Sequence, residues 1–292
     1  MTVIVVGDAA LDVVAKHHSP IVCAGDSRAD ITLAVGGAGA NTAAWLASFG
    51  VDTVLVGRVG DDMGGRQVRS ELETVGVRCA LAVDPSAPTC CVVVLVDDDG
   101  QRSMLADRGA NARLAGSDLT VNLLETASHL HLSGYVLLDP RSREAGLEML
   151  AAARGAGLTT SVDPQAALHI TQQGPMSFLT AVTGVDLLLP NADELEALTG
   201  SRDPSAAAGL LDHVGAVAVT TGPDGASWVD RIGRWDVPAV RATCVDSTGA
   251  GDAFDAGLLA AWLSGQPPLD VLRAGVAAGS AAVSRVGAQP QP

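Results

Sequence analysis

The residues with the clearest capacity for chemistry lie near the C-terminus, in Asp246-Ser247-Thr248-Gly249-Ala250-Gly251-Asp252-Ala253-Phe254. Small residues run there directly into a helical pattern. The first turn of a helix offers N–H groups without intrahelical partners and the positive end of the helix dipole. Both suit a phosphate, or an oxyanion that develops during a reaction. Gly249 and Gly251 let the backbone approach such a group closely. Asp252, in the first turn, could contact a substrate hydroxyl; an Asp that merely complements the dipole would have the same spacing. Asp246 reads equally well as a turn or cap residue.

A second small-residue turn, Gly36-Gly37-Ala38-Gly39-Ala40-Asn41, also opens a helical stretch. Asn41 and Thr42 stand where a dinucleotide fingerprint needs glycine, so GxGxxG is not met. Either Asn41 caps a helix after a tight turn, or the glycines admit a polyol to the backbone while Asn41 bonds a hydroxyl. Gly7-Asp8-Ala9-Ala10-Leu11-Asp12 follows the first strand signal. Parallel sheets bind ligands just beyond such strand ends. Asp12 could accept from two vicinal hydroxyls, or be a solvated loop residue. Asn191 and Glu194 match a capping box. Alternatively Glu194 acts through water on magnesium, which needs only one or two carboxylates. Thr221-Gly222-Pro223-Asp224-Gly225 is a turn that could line a nucleotide pocket.

Other patterns are missing. Of the 18 basic residues, Lys16 is the one lysine. A GxxxxGK[ST] phosphate loop and a VAIK strand are absent, as is a GxSxG nucleophile elbow. Any nucleotide would therefore be held without a lysine cradle. His129 and His131 share a strand face, but no third metal ligand accompanies them. The five cysteines, Cys23, Cys79, Cys90, Cys91 and Cys244, are odd in number and show no CxxC spacing. They read as small buried apolar residues. A net charge of −15 argues against nucleic-acid and anionic-membrane partners. No run of eighteen apolar residues predicts a membrane span. The N-terminus enters a strand without a basic n-region or cleavage site, which leads us to expect a cytoplasmic protein.

Which elements position these residues follows from periodicity. Short Val/Ile/Leu runs predict strands over 2–6, 53–59, 90–97, 129–133, 159–163, 186–189 and 216–221. Several are continuously apolar, as in parallel strands buried on both faces. Helical stretches fall at 41–49, 64–74, 143–154, 192–199 and 205–214. Two long helices, 250–264 and 269–286, are separated by Gln266-Pro267-Pro268. The alternation predicts a single α/β domain over 1–292, with a doubly wound, mostly parallel sheet. Segments 13–35 and 88–111 look like β-structure without an intervening helix and are expected to form one small sheet acting as a lid. The tail Gln289-Pro290-Gln291-Pro292 is expected to fray.

In this order, the motifs resemble those of the PfkB-type carbohydrate kinases, the ribokinase-like family. The resemblance covers nearly the whole chain. Asp246 to Asp252 is similar to the family's DTxGAGD signature, and Gly36-Gly37…Asn41 sits at its N-terminal signature. Gly109-Ala110-Asn111, Asn191…Glu194, Thr221-Gly222…Gly225 and Ser284-Arg285-Val286-Gly287-Ala288-Gln289 also match in order. The resemblance implies ATP-dependent phosphorylation of a sugar-like alcohol, usually at an exocyclic hydroxyl. Asp252 would be the base, and the N–H groups of Gly249, Ala250 and Gly251 the anion hole. Asp12, Gly36, Gly37 and Asn41 would hold the substrate. Asn191, Glu194, Thr221, Gly222 and Gly225 would surround ATP and magnesium. Asp246, Thr248, Arg285 and Gly287 would lie at a monovalent-cation loop, for potassium. The lid would also be able to form a homodimer contact.

Three departures bear on substrate. Ala10 stands where ribokinase has a ribose-binding Asn, Ala38 where it has Lys, and Gly134 near a substrate Glu. Arg102 or Arg108 could contact an acidic or phosphorylated substrate. The runner-up is a nucleoside kinase, with Tyr135 as the candidate base platform; a non-catalytic sensor is the alternative of a different class.

Overall fold

The computed structural model describes residues 1–97 and 102–290, the side chain of Arg102 excepted. The strands are β1 (Thr2–Val6), β2 (Ala10–His17), β3 (Ala29–Gly36), β4 (Asp52–Gly60), β5 (Arg78–Asp84), β6 (Cys90–Val96) and β7 (Arg102–Asp107). They continue with β8 (His129–Ser133), β9 (Thr159–Asp163), β10 (Leu187–Leu188), β11 (Ala216–Thr220), β12 (Ala226–Asp230) and β13 (Arg234–Val237). The α-helices are α1 (Ala38–Ser48), α2 (Met63–Thr74), α3 (Val121–Thr126), α4 (Tyr135–Leu138), α5 (Arg143–Gly155) and α6 (Ala167–Gln173). After them come α7 (Pro175–Val182), α8 (Ala192–Thr199), α9 (Ala250–Leu263) and α10 (Pro268–Val283).

The apolar runs line up in a nine-stranded sheet of order β13-β12-β11-β10-β9-β8-β1-β4-β5. It is parallel from β5 to β11, and β12 and β13 extend it antiparallel. Period-two alternation sends Ile4 and Val6 to one face, packed with Met149, Leu150, Phe178 and Leu195. Val3 and Val5 go to the other, packed with Trp45, Leu46, Leu72 and Leu258. Chain order reverses between β1 and β8, so a crevice opens beyond their C-terminal ends.

The second sheet has the order β3-β2-β6-β7 and is built from the two segments that broke the alternation. Its strands begin at Ala10, so Asp12 lies within β2, paired with Ala34 and Val92, and not in a loop. On the opposite face, Leu33, Val13, Val93 and Leu105 share one row, with Leu33 and Leu105 exposed.

Several expectations shift. Residues 205–214 form a 3-10 helix, Pro204–Asp212, in place of an α-helix. The last helix stops at Val283, and the chain then turns toward Gly287, whose φ of 97° ends any helix. Helices α6 and α7, strand β5 and the β12–β13 hairpin are additions to the expected list. Among the cysteines, Cys90 is buried but Cys23 and Cys244 are exposed, against the expectation of buried residues. Among the described residues, no helix is long and apolar enough to cross a membrane. Of the tail, Gln291 and Pro292 lie outside the described residues.

Candidate active site

Beyond the strand ends, Gly249 immediately precedes α9, and its left-handed φ of 71° turns the chain into the helix. A Cβ at this glycine would stand 2.6 Å from the Ala288 carbonyl oxygen, so the position admits no side chain without a shift. The first turn of α9 lines a cavity of about 200 Å³ together with Asp163, Gln165, Asn191, Glu194 and Asp255. Of the expected anion-hole donors, Ala250 N is already directed at the Ser247 carbonyl, 3.3 Å away.

Asp252 is buried in this turn. Its Oδ2 accepts from Asn41 Nδ2 at 2.9 Å, and its Oδ1 lies 3.5 Å from Gln165 Nε2. Burial pushes its pKa up to about 6, while these two donors pull the other way. Asn41, expected to hold substrate, thus bonds the expected base. Gln165 holds a left-handed φ of 71°, unusual for a residue with a side chain. It follows Asp163 at the end of β9, and its amide also donates to the Asp163 carboxylate.

Three residues here escaped sequence reasoning: Asp163, Gln165 and Asp255. Asp255 lies one turn after Asp252 on the same helix, and Asp163 closes a predicted strand; those spacings were the available signal. Asp163 and Asp255 are hydrogen-bonded to each other and buried, and burial raises both well above the ordinary carboxylate range. Glu194 is also buried and is raised to about 7 by loss of solvation. Its carboxylate accepts from the N–H and Nδ2 of Asn191 at 2.9 and 2.7 Å, while Asn191 Oδ1 caps α8. The capping box is therefore real, and the same Glu194 faces the cavity. Asp255 Oδ2 and Thr248 Oγ1 are buried with no partner among the described residues. Carboxylates this costly to ionise, beside a helix N-terminus, fit a nucleotide phosphate accompanied by a divalent cation. Among the described residues, no protein-only group of three or more His, Cys, Asp or Glu is placed to hold a metal ion.

On the other side of Asp252, the turn after β3 approaches β1. Gly37 has a φ of 92°, and a Cβ there would stand 2.5 Å from the Asp8 carbonyl oxygen. At Gly36 a Cβ would lie 2.2 Å from Asp12 Oδ2. Asp12 Oδ1 is buried without a partner, and burial raises this carboxyl to about 6. It is an acceptor waiting for donors. Ala10 is buried, and at Gly134 a Cβ would stand 2.3 Å from the Pro164 carbonyl oxygen, so no side chain replaces the missing polar contacts there.

Arg108, one of two arginines considered as a substrate contact, is half of a buried ion cluster. Its Nε and Nη2 bind Asp8 at 2.8 and 2.6 Å, and its Nη1 lies 2.8 Å from Asp139. Burial disfavours its charge, but the two carboxylates more than offset this and hold its pKa above the ordinary range. The side chain of Arg102 lies outside the described residues.

Asp246 accepts from Thr248 N at 2.7 Å and Gly287 N at 3.0 Å, which closes the expected cation loop onto the C-terminal turn. Arg285 stacks over Trp45, 5.3 Å from the ring centroid, and Trp45 Nε1 donates to the Ala288 carbonyl at 2.9 Å. Thr221 Oγ1 donates to the Gly225 carbonyl at 3.0 Å, and a Cβ at Gly225 would meet Val237 O at 2.1 Å. Thr221, Gly222 and Gly225 thus shape the turn after β11, and Thr220 is the neighbour that lines the cavity. His129 and His131 are buried far from metal chemistry: both bond Ser161 Oγ at 2.8 Å.

The chain matches the family model described as "pfkB family carbohydrate kinase" over residues 2–292. It is 32% identical over 258 residues to the ATP-dependent ribose-1-phosphate kinase of Halopiger xanaduensis, covering 88% of this chain and 83% of that one. It is 29% identical over 273 residues to fructokinase-2 of Solanum lycopersicum, covering 88% and 83%. Among solved structures, adenosine kinase from Sinorhizobium meliloti superposes with a TM-score of 0.89 at 26% identity, covering 99% of this chain and 95% of that one. Ribokinase from Thermotoga maritima superposes with a TM-score of 0.84 at 27% identity, covering 99% and 94%. The fold is ribokinase-like, and the chain belongs to the pfkB family of carbohydrate kinases, ATP-dependent sugar kinases.

Proposed function

We propose that the protein transfers the γ-phosphoryl group of ATP to a hydroxyl, of the exocyclic CH2OH kind, on a sugar or sugar-like molecule, with Asp252 as the base. The observation that carries this reading is a buried Asp in the first turn of α9, its Oδ2 oriented by Asn41 at 2.9 Å. The acceptor hydroxyl would donate to Asp252. As its oxygen bonds to the γ-phosphorus, the bridging P–O bond to ADP breaks and the proton passes to Asp252. Phosphoryl transfer runs through a loose transition state, so positioning and charge stabilisation dominate and a modest base suffices. The α9 N-terminus from Gly249 to Gly251 would take up developing negative charge. Asp12, with a free buried oxygen, would accept from neighbouring hydroxyls of the acceptor. Magnesium, when bound, would neutralise phosphate charge, with Glu194 and Asn191 holding its water shell. Asp246, Thr248, Arg285 and Gly287 would frame a potassium loop beside the anion hole. The small sheet would close over the acceptor and exclude water, and its row of Leu33, Val13, Val93 and Leu105 would meet a second copy of the chain.

A nucleoside acceptor is the second reading. It is supported by Tyr135, half-buried near Asp252, and by the likeness to an adenosine kinase.

The test is ADP release with Mg-ATP across pentoses, hexoses, acidic sugars and nucleosides, with and without potassium. Asp252→Asn serves as the blank and should lower kcat by about 10²- to 10⁴-fold while ATP binding persists. Undiminished turnover in this variant removes Asp252 from the role of base.

A further inference from the structure

A second cavity lies apart from the one at the anion hole. It has a volume of about 420 Å³ and is lined by Arg108, Tyr135, Leu138, Asp139, Arg141 and His169. Of its lining, Tyr135 is the residue that feels the charges of the catalytic cleft. This residue follows Gly134, whose N–H donates to the Asp163 carbonyl at 2.7 Å, and its hydroxyl is raised by burial and by the charges of Asp163, Asp252 and Asp8. Nothing in the phosphoryl-transfer step described above uses this space.

Its polar atoms are lopsided. Asp139 is the carboxylate on the lining, and its oxygens are already engaged. Its Oδ1 accepts from Arg141 N and Nε at 2.9 and 3.1 Å. Its Oδ2 accepts from Arg141 Nη2 and lies 2.8 Å from Arg108 Nη1. Asp8 is spent on Arg108 in the same way. Arg108 is thereby fixed and charged, but has little left to offer. Arg141 differs: its side chain is 65% exposed, and its Nη1 has no partner among the described residues. His169 adds a second, exposed polar group and the half-buried Tyr135 a third. The charges of Arg108, Arg141, Asp8 and Asp139 cancel, in a chain whose net charge is −15. The cavity is thus a place where donors outnumber free acceptors, with Asp8 and Asp139 offset by the two arginines while Asp107 acts on Arg141 and Asp163, Asp252 and Glu194 act on Tyr135 from outside its lining. A neutral polyol needs acceptors as well as donors. A group carrying only acceptor oxygens does not.

We infer that Arg141, with His169 and Tyr135, forms a subsite for a phosphate monoester carried by the acceptor itself, at the end remote from the hydroxyl that reacts. The inference rests on the kinase reading for the identity of that hydroxyl, but not for the binding. It also accounts for Ala10, Ala38 and Gly134. An acceptor anchored by its own phosphate needs fewer hydroxyl contacts.

Calorimetry without ATP, using ribose 1-phosphate and ribose as probes, tests this on wild type and Arg141→Gln. Wild type should bind ribose 1-phosphate about tenfold or more tighter than ribose, as a charge-assisted contact supplies. Arg141→Gln should abolish most of that preference, and Arg141→Glu should reverse it. In turnover assays the ratio of kcat/KM for the two acceptors should collapse in parallel. Equal binding of the two probes by wild type, or a preference that survives Arg141→Gln, overturns the subsite even if both sugars are phosphorylated. A preference for adenosine over both probes overturns it in favour of a base pocket. If no acceptor is phosphorylated yet Arg141-dependent binding of ribose 1-phosphate is seen, the subsite stands and the kinase reading falls.

Discussion

Asn41 Nδ2 donates to Asp252 Oδ2 over 2.9 Å, tying the turn that leaves the small sheet to the helix that carries the carboxylate. A donor to the charged form stabilises it, so Asn41 lowers a pKa that burial raises to about 6. Asn41→Ala should therefore move the acid limb of kcat/KM to higher pH and lower kcat by about tenfold or more. A residue that merely held substrate would raise KM and leave the limb in place. The pH profile of kcat and KM in this variant separates the two roles.

The shape of that limb in the wild type is a second prediction. Asp252 and Asp12 are both raised to about 6 by burial, and in the proposed roles both act as carboxylates, Asp252 to take up a proton and Asp12 to accept from two hydroxyls at once. Below this pH two protons are taken up for each active site lost. At saturating magnesium, log kcat/KM should fall with a slope approaching two per pH unit below about 6. Asp12→Asn should reduce the slope to one while lowering the plateau. A slope of one in the wild type would remove Asp12 from the ionised machinery.

A third prediction concerns a position that has room for no side chain. At Gly36 a Cβ would lie 2.2 Å from Asp12 Oδ2, and the backbone there has no positive φ to strain. Gly36→Ala should turn the Asp12 carboxylate away and leave the fold standing. A misplacement of this size costs about 10²-fold in rate. We expect kcat/KM for the acceptor to drop by that order, with ATP binding and the melting temperature little changed. A large loss of melting temperature would instead make Gly36 a folding residue.

The parts of the site built from consecutive residues were legible in the sequence. Gly249 to Asp252 lie on one helix start, and Asn191 with Glu194 on another, so spacing alone placed them. What spacing could not give is the pairing of elements far apart in the chain. Asn41 and Asp252 are separated by 211 residues, and Asp8 and Arg108 by 100. Sequence alone therefore leaves Asn41 open as a helix cap or a hydroxyl contact and Arg108 as a candidate anion contact, and gives no sign that each has a protein partner. Asp163 went unremarked because an Asp at a strand end is ordinary until Asp255 is packed against it. The parallel sheet followed from continuous apolar strands. The α6–α7 pair did not, since 167–182 carries polar residues and the Gly174-Pro175 break inside it.

The buried histidines supply the last prediction, on stability. His129 and His131 project from one face of β8, bonded to Ser161 Oγ at 2.8 Å each, and the edge of Trp262 meets the His129 ring. Burial lowers His129 to about 3 and His131 to about 4, from an ordinary value near 6.5. The unfolded chain therefore takes up protons below about pH 6.5 that the folded chain refuses until pH 4 or lower. The stability these groups allow is fully present above 6.5 and is lost as pH falls toward the folded values. For His131 alone the loss is on the order of 3 kcal/mol. The raised carboxylates Asp12 and Asp252 act in the opposite sense through the same range, so a comparison with a variant isolates the effect. His131→Gln should be less stable than wild type at pH 7.5, and the gap should narrow steadily between pH 6.5 and 4 in urea unfolding. A gap that stays constant across that window would mean that His131 titrates alike in the folded and unfolded chains.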